Sequence, residues 1–210
     1  MRALLLLVVA AAAPAADRFS FGVLGGVPLT AVADSGRTVG RYGGDTTFHI
    51  QRYLVGGFVE AGLPWGFRVD AGGVYRHARQ DAVFGPAPTA SIDTYATHMS
   101  IWEIPIRLKR GFGGGPVRPF AAVGPSLRRV SDLDVDVLSV PAFPGYPATR
   151  QHYQASTGEP VRWGITAGAG VSWRLGLLRV EPELRYTHWT AKHWLATTNE
   201  AAFVLGLAFP

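Results

Sequence analysis

The feature that most constrains the fold is a strict alternation of apolar and polar residues late in the chain. From Val161 to Trp173 every second residue is apolar, and the intervening positions hold glycine, arginine, serine and threonine. A period of two places successive side chains on opposite faces of a β-strand. The apolar face carries Trp163 near one end and Trp173 at the other. This length, with aromatic residues at both limits, is typical of a strand that crosses a bilayer at a tilt.

The same test predicts seven further strands, each with one apolar face, over residues 19–29, 52–63, 67–76, 102–109, 117–127, 178–186 and 200–209. Two of them are less regular than the others. Leu54 and Phe58 blur the alternation of the second strand. Pro119 and Pro125 each remove a hydrogen-bond donor from the fifth.

The connections between these strands alternate between two kinds. The tight ones are rich in glycine or proline and suit hairpins: Pro64–Gly66, Gly111–Pro116 and Leu175–Leu177. The long ones are polar: 31–50, 79–98, 131–160 and 190–198. Short turns and both termini at one end, with long loops at the other, are typical of outer-membrane barrels. We therefore predict an all-β fold, an eight-stranded antiparallel up-and-down transmembrane β-barrel.

Charged residues recur on the polar faces and are predicted to point into the lumen. The predicted network comprises Arg68, Asp70, Glu103, Arg107, Arg179, Glu181, Glu183 and Arg185, and the same face carries Arg52, Glu60, Arg76, Lys109, Arg118, Arg128 and Glu200. Because an eight-stranded barrel is just wide enough for side chains to fill it, these groups should pair and close the lumen. A static network and an ion gate of switching Arg–Glu pairs are both compatible with this pattern. A soluble β-protein, with the polar faces in water, is the alternative fold.

The N-terminus predicts export. Met1-Arg2 precedes an apolar run from Ala3 to Ala13, and small residues follow, as in a secretory signal peptide. The run is too short for a spanning helix, which needs roughly 20 apolar residues. We predict a signal peptide over 1–16, cleaved after Ala15 or Ala16, and a barrel domain over 17–210.

Composition limits the chemistry. The chain has no cysteine, so disulfides and thiolate sites are excluded. The formal net charge is +5, but no basic run exceeds two residues, so no nucleic-acid partner is expected. Asp132, Asp134 and Asp136 could line a calcium-binding rim, yet the glycine and closing glutamate of an EF-hand are missing. We therefore expect neither a metal nor another cofactor.

A few residues could carry other roles. His98 and Ser100 share the lipid-facing side of one strand, where a histidine can activate a serine; a third, acidic partner is not identifiable. His188 and His193 lie at the fourth long link, close to Trp189, Lys192 and Trp194, but their spacing specifies no metal site. The tyrosines Tyr146 and Tyr153 lie in the third link, a candidate recognition loop. Predicted interfacial aromatic residues are Trp102, Trp163, Trp173 and Trp189.

Beyond the signal peptide, four segments carry a resemblance to a known family: 19–23 (FSFGV), 118–125 (RPFAAVGP), 181–186 (EPELRY) and 203–209 (FVLGLAF). The chain resembles small bacterial outer-membrane β-barrel proteins of the OmpA-like, eight-stranded kind. This implies residence in the outer membrane as a monomer, contact with outer-membrane lipids and lipopolysaccharide, and insertion by the barrel-assembly machinery through the strand ending at Phe209. Pro210 follows Phe209, a departure from the usual terminal aromatic residue.

The resemblance specifies the architecture and not the activity; the function that we predict is a structural or surface-interaction role without catalysis. Three alternatives stay open. The first is a lipid-modifying hydrolase, similar to the lipid A deacylases, that uses His98 and Ser100. The second is a narrow ion channel gated by lumen Arg–Glu pairs. The third is a soluble exported binding protein.

Overall fold

The computed structural model describes residues 19–30, 36–38, 44–50, 53–84, 91–141, 143–155, 161–190 and 198–209, with the backbone alone at 36–38, 44–50 and 132. The predicted signal peptide, Arg52, His193 and Pro210 lie outside these ranges. The described residues form eleven strands: β1 (Phe19–Pro28), β2 (Gly36–Thr38), β3 (Gly44–Ile50), β4 (Leu54–Gly62), β5 (Phe67–Phe84), β6 (Ser91–Gly111), β7 (Val117–Pro141), β8 (Thr149–Ala155), β9 (Arg162–Leu175), β10 (Leu178–Trp189) and β11 (Asn199–Phe209). A short 3₁₀ turn covers Pro64–Gly66. No helix in the described part of the chain is long and apolar enough to cross a membrane.

Eight of the strands close into an antiparallel barrel in the order β1, β4, β5, β6, β7, β9, β10, β11. The first and last strands pair directly, with Phe21 opposite Phe209 and Pro28 opposite Ala202. Closure leaves the body of the barrel without a free sheet edge. The predicted fold class is therefore confirmed.

The outer wall of this barrel is apolar, and the inner wall is polar. On β9 the side chain of Ile165 is 58% exposed, whereas the neighbouring Thr166 is 1% exposed. The same alternation continues around the barrel, and outward residues such as Val59 and Leu184 are about 60% exposed. A barrel that binds an apolar ligand in water would have the opposite arrangement. Backbone pairing within a closed sheet also leaves no unsatisfied groups toward lipid.

Two of the predicted long links are largely strand. Within 79–98, β5 continues to Phe84 and β6 begins at Ser91. Within 131–160, β7 continues to Pro141, and β8 pairs alongside it. The sequence test missed these extensions because several of their outward positions are polar. Asp134 and Asp136 alternate there with the buried Val135 and Val137.

These extensions build an open sheet beyond the barrel, at the end opposite the chain termini. β6 has 21 residues and β7 has 25, whereas about ten residues suffice to cross a bilayer. At about 3.3 Å per residue, the excess corresponds to roughly 35 Å of additional strand for β6 and roughly 50 Å for β7. Because outer-membrane barrels carry their long connections on the extracellular side, we name this region by that expectation the extracellular sheet: residues 77–84, 91–100 and 131–141 of β5, β6 and β7, flanked by β2, β3 and β8. Ala78, Met99, Ile101 and Leu133 form an apolar cluster at its base.

The blurred alternation of β4 has a structural reason. Leu54 and Phe58 point inward, where Leu54 joins Leu24, Val74 and Val204 in an apolar cluster that Phe58 packs against. These residues belong to neighbouring strands β11, β1, β4 and β5. One side of the lumen is therefore filled by hydrocarbon side chains, and the charged groups occupy the remaining space.

Candidate functional site: the charged barrel interior

The charged groups of the lumen form three clusters along the barrel axis. The lower cluster lies at the end with the tight turns and contains Glu60, Arg68, Lys109, Arg179 and Glu181. Arg68 Nη1 lies 3.0 Å from Glu60 Oε1, and Arg179 Nη2 lies 2.9 Å from the same oxygen. Arg179 Nε is 2.8 Å from Glu181 Oε1, and Lys109 donates to Glu181 and, at 3.4 Å, to Glu60. Each carboxylate is thus shared by several cations.

The middle cluster contains Asp70, Arg107, Glu183 and Arg185. Arg107 donates two parallel hydrogen bonds to Asp70, at 3.0 and 2.6 Å, and a third to Glu183. Arg185 donates to both oxygens of Glu183 at 3.2 Å. Two cations therefore balance two carboxylates, and the fork of Arg107 matches the carboxylate geometry.

The upper cluster contains Arg76, Glu103, Arg128, Glu200 and the ring of Trp189. Both arginines pair with both glutamates. Arg76 Nη2 lies 2.6 Å from Glu200 Oε2, and Arg128 Nε lies 3.1 Å from Glu103 Oε1. The guanidinium of Arg128 also lies 3.9 Å from the centroid of Trp189, in cation–π geometry. This cluster, like the middle one, has two charges of each sign.

These contacts make the interior a packed network. The cavities beside the middle and upper clusters are about 20 Å³ each, close to the space that a single water needs. Between the clusters, the hydroxyls of Ser126, Thr166 and Thr187 form a chain with oxygen–oxygen distances of 2.6 and 2.8 Å. Buried charges require such ion pairing, because an unpaired charge is costly in a low-dielectric interior.

The structure brings all eight residues of the predicted network into these clusters, together with Glu60, Arg76, Lys109, Arg128 and Glu200. Arg118 is an exception, because its Nε donates to the carbonyl of Gly115 in the turn after β6. Lys109 also lies over the ring of Phe120, 4.1 Å from its centroid. Sequence alternation thus predicted which side chains point into the lumen. It contained no information about which of them form ion pairs with each other.

The prediction for Trp189 is wrong. Its side chain is 2% exposed and lies inside the lumen, not at the membrane interface. A Cβ on Gly164 of the neighbouring strand would approach the indole to 2.6 Å, so the glycine leaves room for the ring. The signal was present in the sequence, since Trp189 continues the inward positions that begin at Arg179. Trp102, Trp163 and Trp173 lie on the outer wall and are about half exposed; their interfacial role stays a prediction.

The other candidate residues are dispersed. His98 and Ser100 face outward, as predicted from the alternation, but Ser100 Oγ lies 3.2 Å from the hydroxyl of Tyr75. His98 Nδ1 lies 3.4 Å from His77 Nε2, and the imidazole rings of the two residues are stacked. His188 Nδ1 lies 2.7 Å from the side-chain oxygen of Asn199. This arrangement does not assemble the predicted nucleophile and base.

The acidic positions on β7 do not form a metal centre in the described structure. Asp134 and Asp136 lie on the outward side of the extracellular sheet, and Asp136 pairs with His152 at 2.9 Å. The side chain of Asp132 lies outside the described part. Within that part, no group of three histidine or carboxylate side chains is arranged to hold a metal ion.

Comparison with solved protein structures finds proteins that have a similar fold. The barrel is similar to the crystal structure of Neisserial surface protein A, with a TM-score of 0.51, 12% identity, and coverage of 91% of this chain and 95% of that one. It is also similar to the outer-membrane protein OprG from Pseudomonas aeruginosa, with a TM-score of 0.47, 11% identity, and coverage of 91% and 94%. No family model matches the sequence, and no curated protein matches it.

Fold and site together define the class of protein. A closed eight-stranded barrel with an apolar outer wall and a charged interior is a transmembrane β-barrel of the bacterial outer-membrane type. The chain is accordingly a protein of the outer membrane. In barrels of this type the short turns face the periplasm, so we expect the end with the tight turns and the termini to be periplasmic and the extracellular sheet to project from the other.

The middle cluster provides a test of the network. Arg107→Gln leaves Asp70 and Glu183 short of a buried cation, so we expect the free energy of unfolding to fall by about 3–5 kcal/mol. Arg79→Gln is the matched control, because its pair with Asp81 is exposed and should contribute about 1 kcal/mol or less. Urea unfolding of both variants in lipid vesicles measures the difference. Equal losses would contradict a buried network.

Tryptophan fluorescence tests the position of Trp189. A variant that keeps only Trp163 should be quenched strongly by brominated phosphatidylcholine, because that side chain faces lipid. A variant that keeps only Trp189 should be quenched weakly, since the barrel wall separates the indole from the acyl chains. Comparable quenching of the two variants would place Trp189 on the outer wall after all.

Proposed function

We propose that this protein is a non-conducting outer-membrane barrel that holds a β-sheet at the cell surface. Its role is structural and interactive, without catalysis. The observation that carries this proposal is the combination of a lumen filled by paired charges with strands that continue far beyond the length needed to cross the bilayer.

The geometry of the extracellular sheet supports surface contact. Strand β8 is paired with β7, and no other described strand lies against its outer edge. Its side chains from Thr149 to Gln154 are exposed. An open edge with exposed side chains can accept a strand from another protein. Tyr146, beside β8, is 71% exposed, which suits an aromatic contact residue.

The outer wall supports the proposed lipid partners. Tyr75 and Trp102 lie side by side near the upper limit of the barrel, with ring centroids 5.0 Å apart. Arg129 lies opposite Trp102 in register and is exposed. Aromatic and basic groups at this level suit the headgroup region of lipopolysaccharide. At the other end, Phe209 faces outward beside Phe21, where the barrel-assembly machinery could read the closing strand.

Planar-bilayer recording tests the closed lumen. The refolded protein should give no stepwise conductance, because ion pairs and packed side chains fill the middle and upper levels of the lumen and leave cavities of only about 20 Å³ there. Protein-free detergent at the same concentration provides the baseline. Steps of reproducible size that change in Glu183→Gln would contradict the proposal and favour the gated channel.

Cysteine labelling tests the display of the sheet, and the absence of native cysteine makes the background low. Tyr146→Cys should react with a membrane-impermeant maleimide on intact cells, because the residue lies at the extracellular end. Phe112→Cys, in a periplasmic turn, is the matched control and should react only after the outer membrane is permeabilised. The reverse pattern would overturn the orientation and the proposed display.

A further inference from the structure

The periplasmic end of the barrel contains a cavity that the proposed surface role does not use. Its volume is about 320 Å³, within the lower range of small-ligand sites. It opens where β1, β5 and β10 begin and where β4, β9 and β11 end. Arg68, Arg174 and Arg179 line it together with Glu60, Ser20 and apolar residues that include Phe19, Leu177 and Phe209.

The charge around this cavity is unbalanced. The middle and upper clusters each have two cations and two carboxylates, whereas the lower cluster has three cations and two carboxylates. Arg174 lines the same cavity, with an exposed side chain. Among the described residues of the lower cluster and the cavity wall, four cations therefore face two carboxylates, Glu60 and Glu181.

The depths of these groups favour an anion that enters from the periplasm. The side chains of Glu60 and Glu181 are only 1% and 6% exposed, and several cations already share them. The side chain of Arg68 is 26% exposed and that of Arg179 is 13% exposed. An entering ligand thus meets guanidinium groups first, and their N–H groups suit bidentate contact with oxyanions.

We propose that this cavity binds a phosphate-bearing anion through Arg68, Arg174 and Arg179. The ligand supplies the negative charge that the lower cluster lacks, and its oxygens accept hydrogen bonds from the guanidinium groups. Two sources share this chemistry: a soluble phosphate monoester of the periplasm, and the headgroup of an anionic phospholipid in the inner leaflet. The apolar rim beside the arginines is compatible with either.

Calorimetric titration of the refolded barrel with glycerol 1-phosphate, in a non-ionic detergent, tests the soluble source. We expect saturable one-site binding that Arg174→Gln weakens by about tenfold or more, a loss typical of a charge-assisted contact. Arg110→Gln is the matched control. Arg110 lies at the same end of the barrel, on the outer wall, where it contacts the rings of Phe67 and Phe112. This control should change the affinity by less than twofold.

Native mass spectrometry tests the lipid source, using protein extracted from phosphatidylcholine vesicles that contain phosphatidylglycerol. Retention of one phosphatidylglycerol that is lost in Arg174→Gln but kept in Arg110→Gln would support the site, with the lipid as its ligand. Binding of glycerol 1-phosphate alone would support it with a soluble ligand. Failure of both probes, or equal weakening in the two variants, would overturn the proposal. Unchanged heat-modifiable migration on a gel verifies that each variant is folded.

Discussion

The pairing of Arg107 with Asp70 and Glu183 is the interaction on which the interior depends. These groups lie on strands β6, β5 and β10, so the contact joins opposite sides of the barrel through its centre. Charges at this position are far from water, and only mutual pairing makes their burial acceptable. In the upper and lower clusters, arginine and lysine side chains likewise form ion pairs with buried glutamates. The middle and upper levels of the lumen are filled as a consequence, whereas the periplasmic end keeps a cavity.

The filled interior also depends on close approach between strands. The ring of Phe120 lies over Gly170, where a Cβ would come within 2.7 Å, as Trp189 lies over Gly164. On the other side, Leu24, Leu54, Val74 and Val204 fill the space with hydrocarbon. Large inward side chains are thus matched with glycine across the sheet, and this matching leaves little free volume beside the ion clusters. The periplasmic end differs, because its larger cavity is lined by three arginines, Glu60, Ser20 and a rim of apolar residues.

Alternation predicted the barrel wall well and predicted the extracellular sheet poorly. In the membrane, outward residues such as Ile165 must be apolar, so the pattern of β9 has strong contrast. Beyond the bilayer the same strand geometry has water outside, and outward positions such as Asp134 give no such contrast. The sequence pattern therefore predicted polar links where the structure has extensions of β5, β6 and β7. For Trp189 the alternation correctly predicts an inward side chain. The prediction of a membrane-interface role came from its aromatic type, and the inward position excludes that role.

The sequence by itself determined the strands within the bilayer, their apolar and charged faces, and hence the barrel class. It could do so because a period of two is a local property that each strand expresses independently. Only the tertiary structure decided which charges meet, because partners such as Arg76 and Glu200 are separated by 124 positions in the chain. It also decided that the lower cluster has an excess of positive charge beside a cavity. That excess depends on strand register and barrel closure, which bring distant residues to one level of the axis.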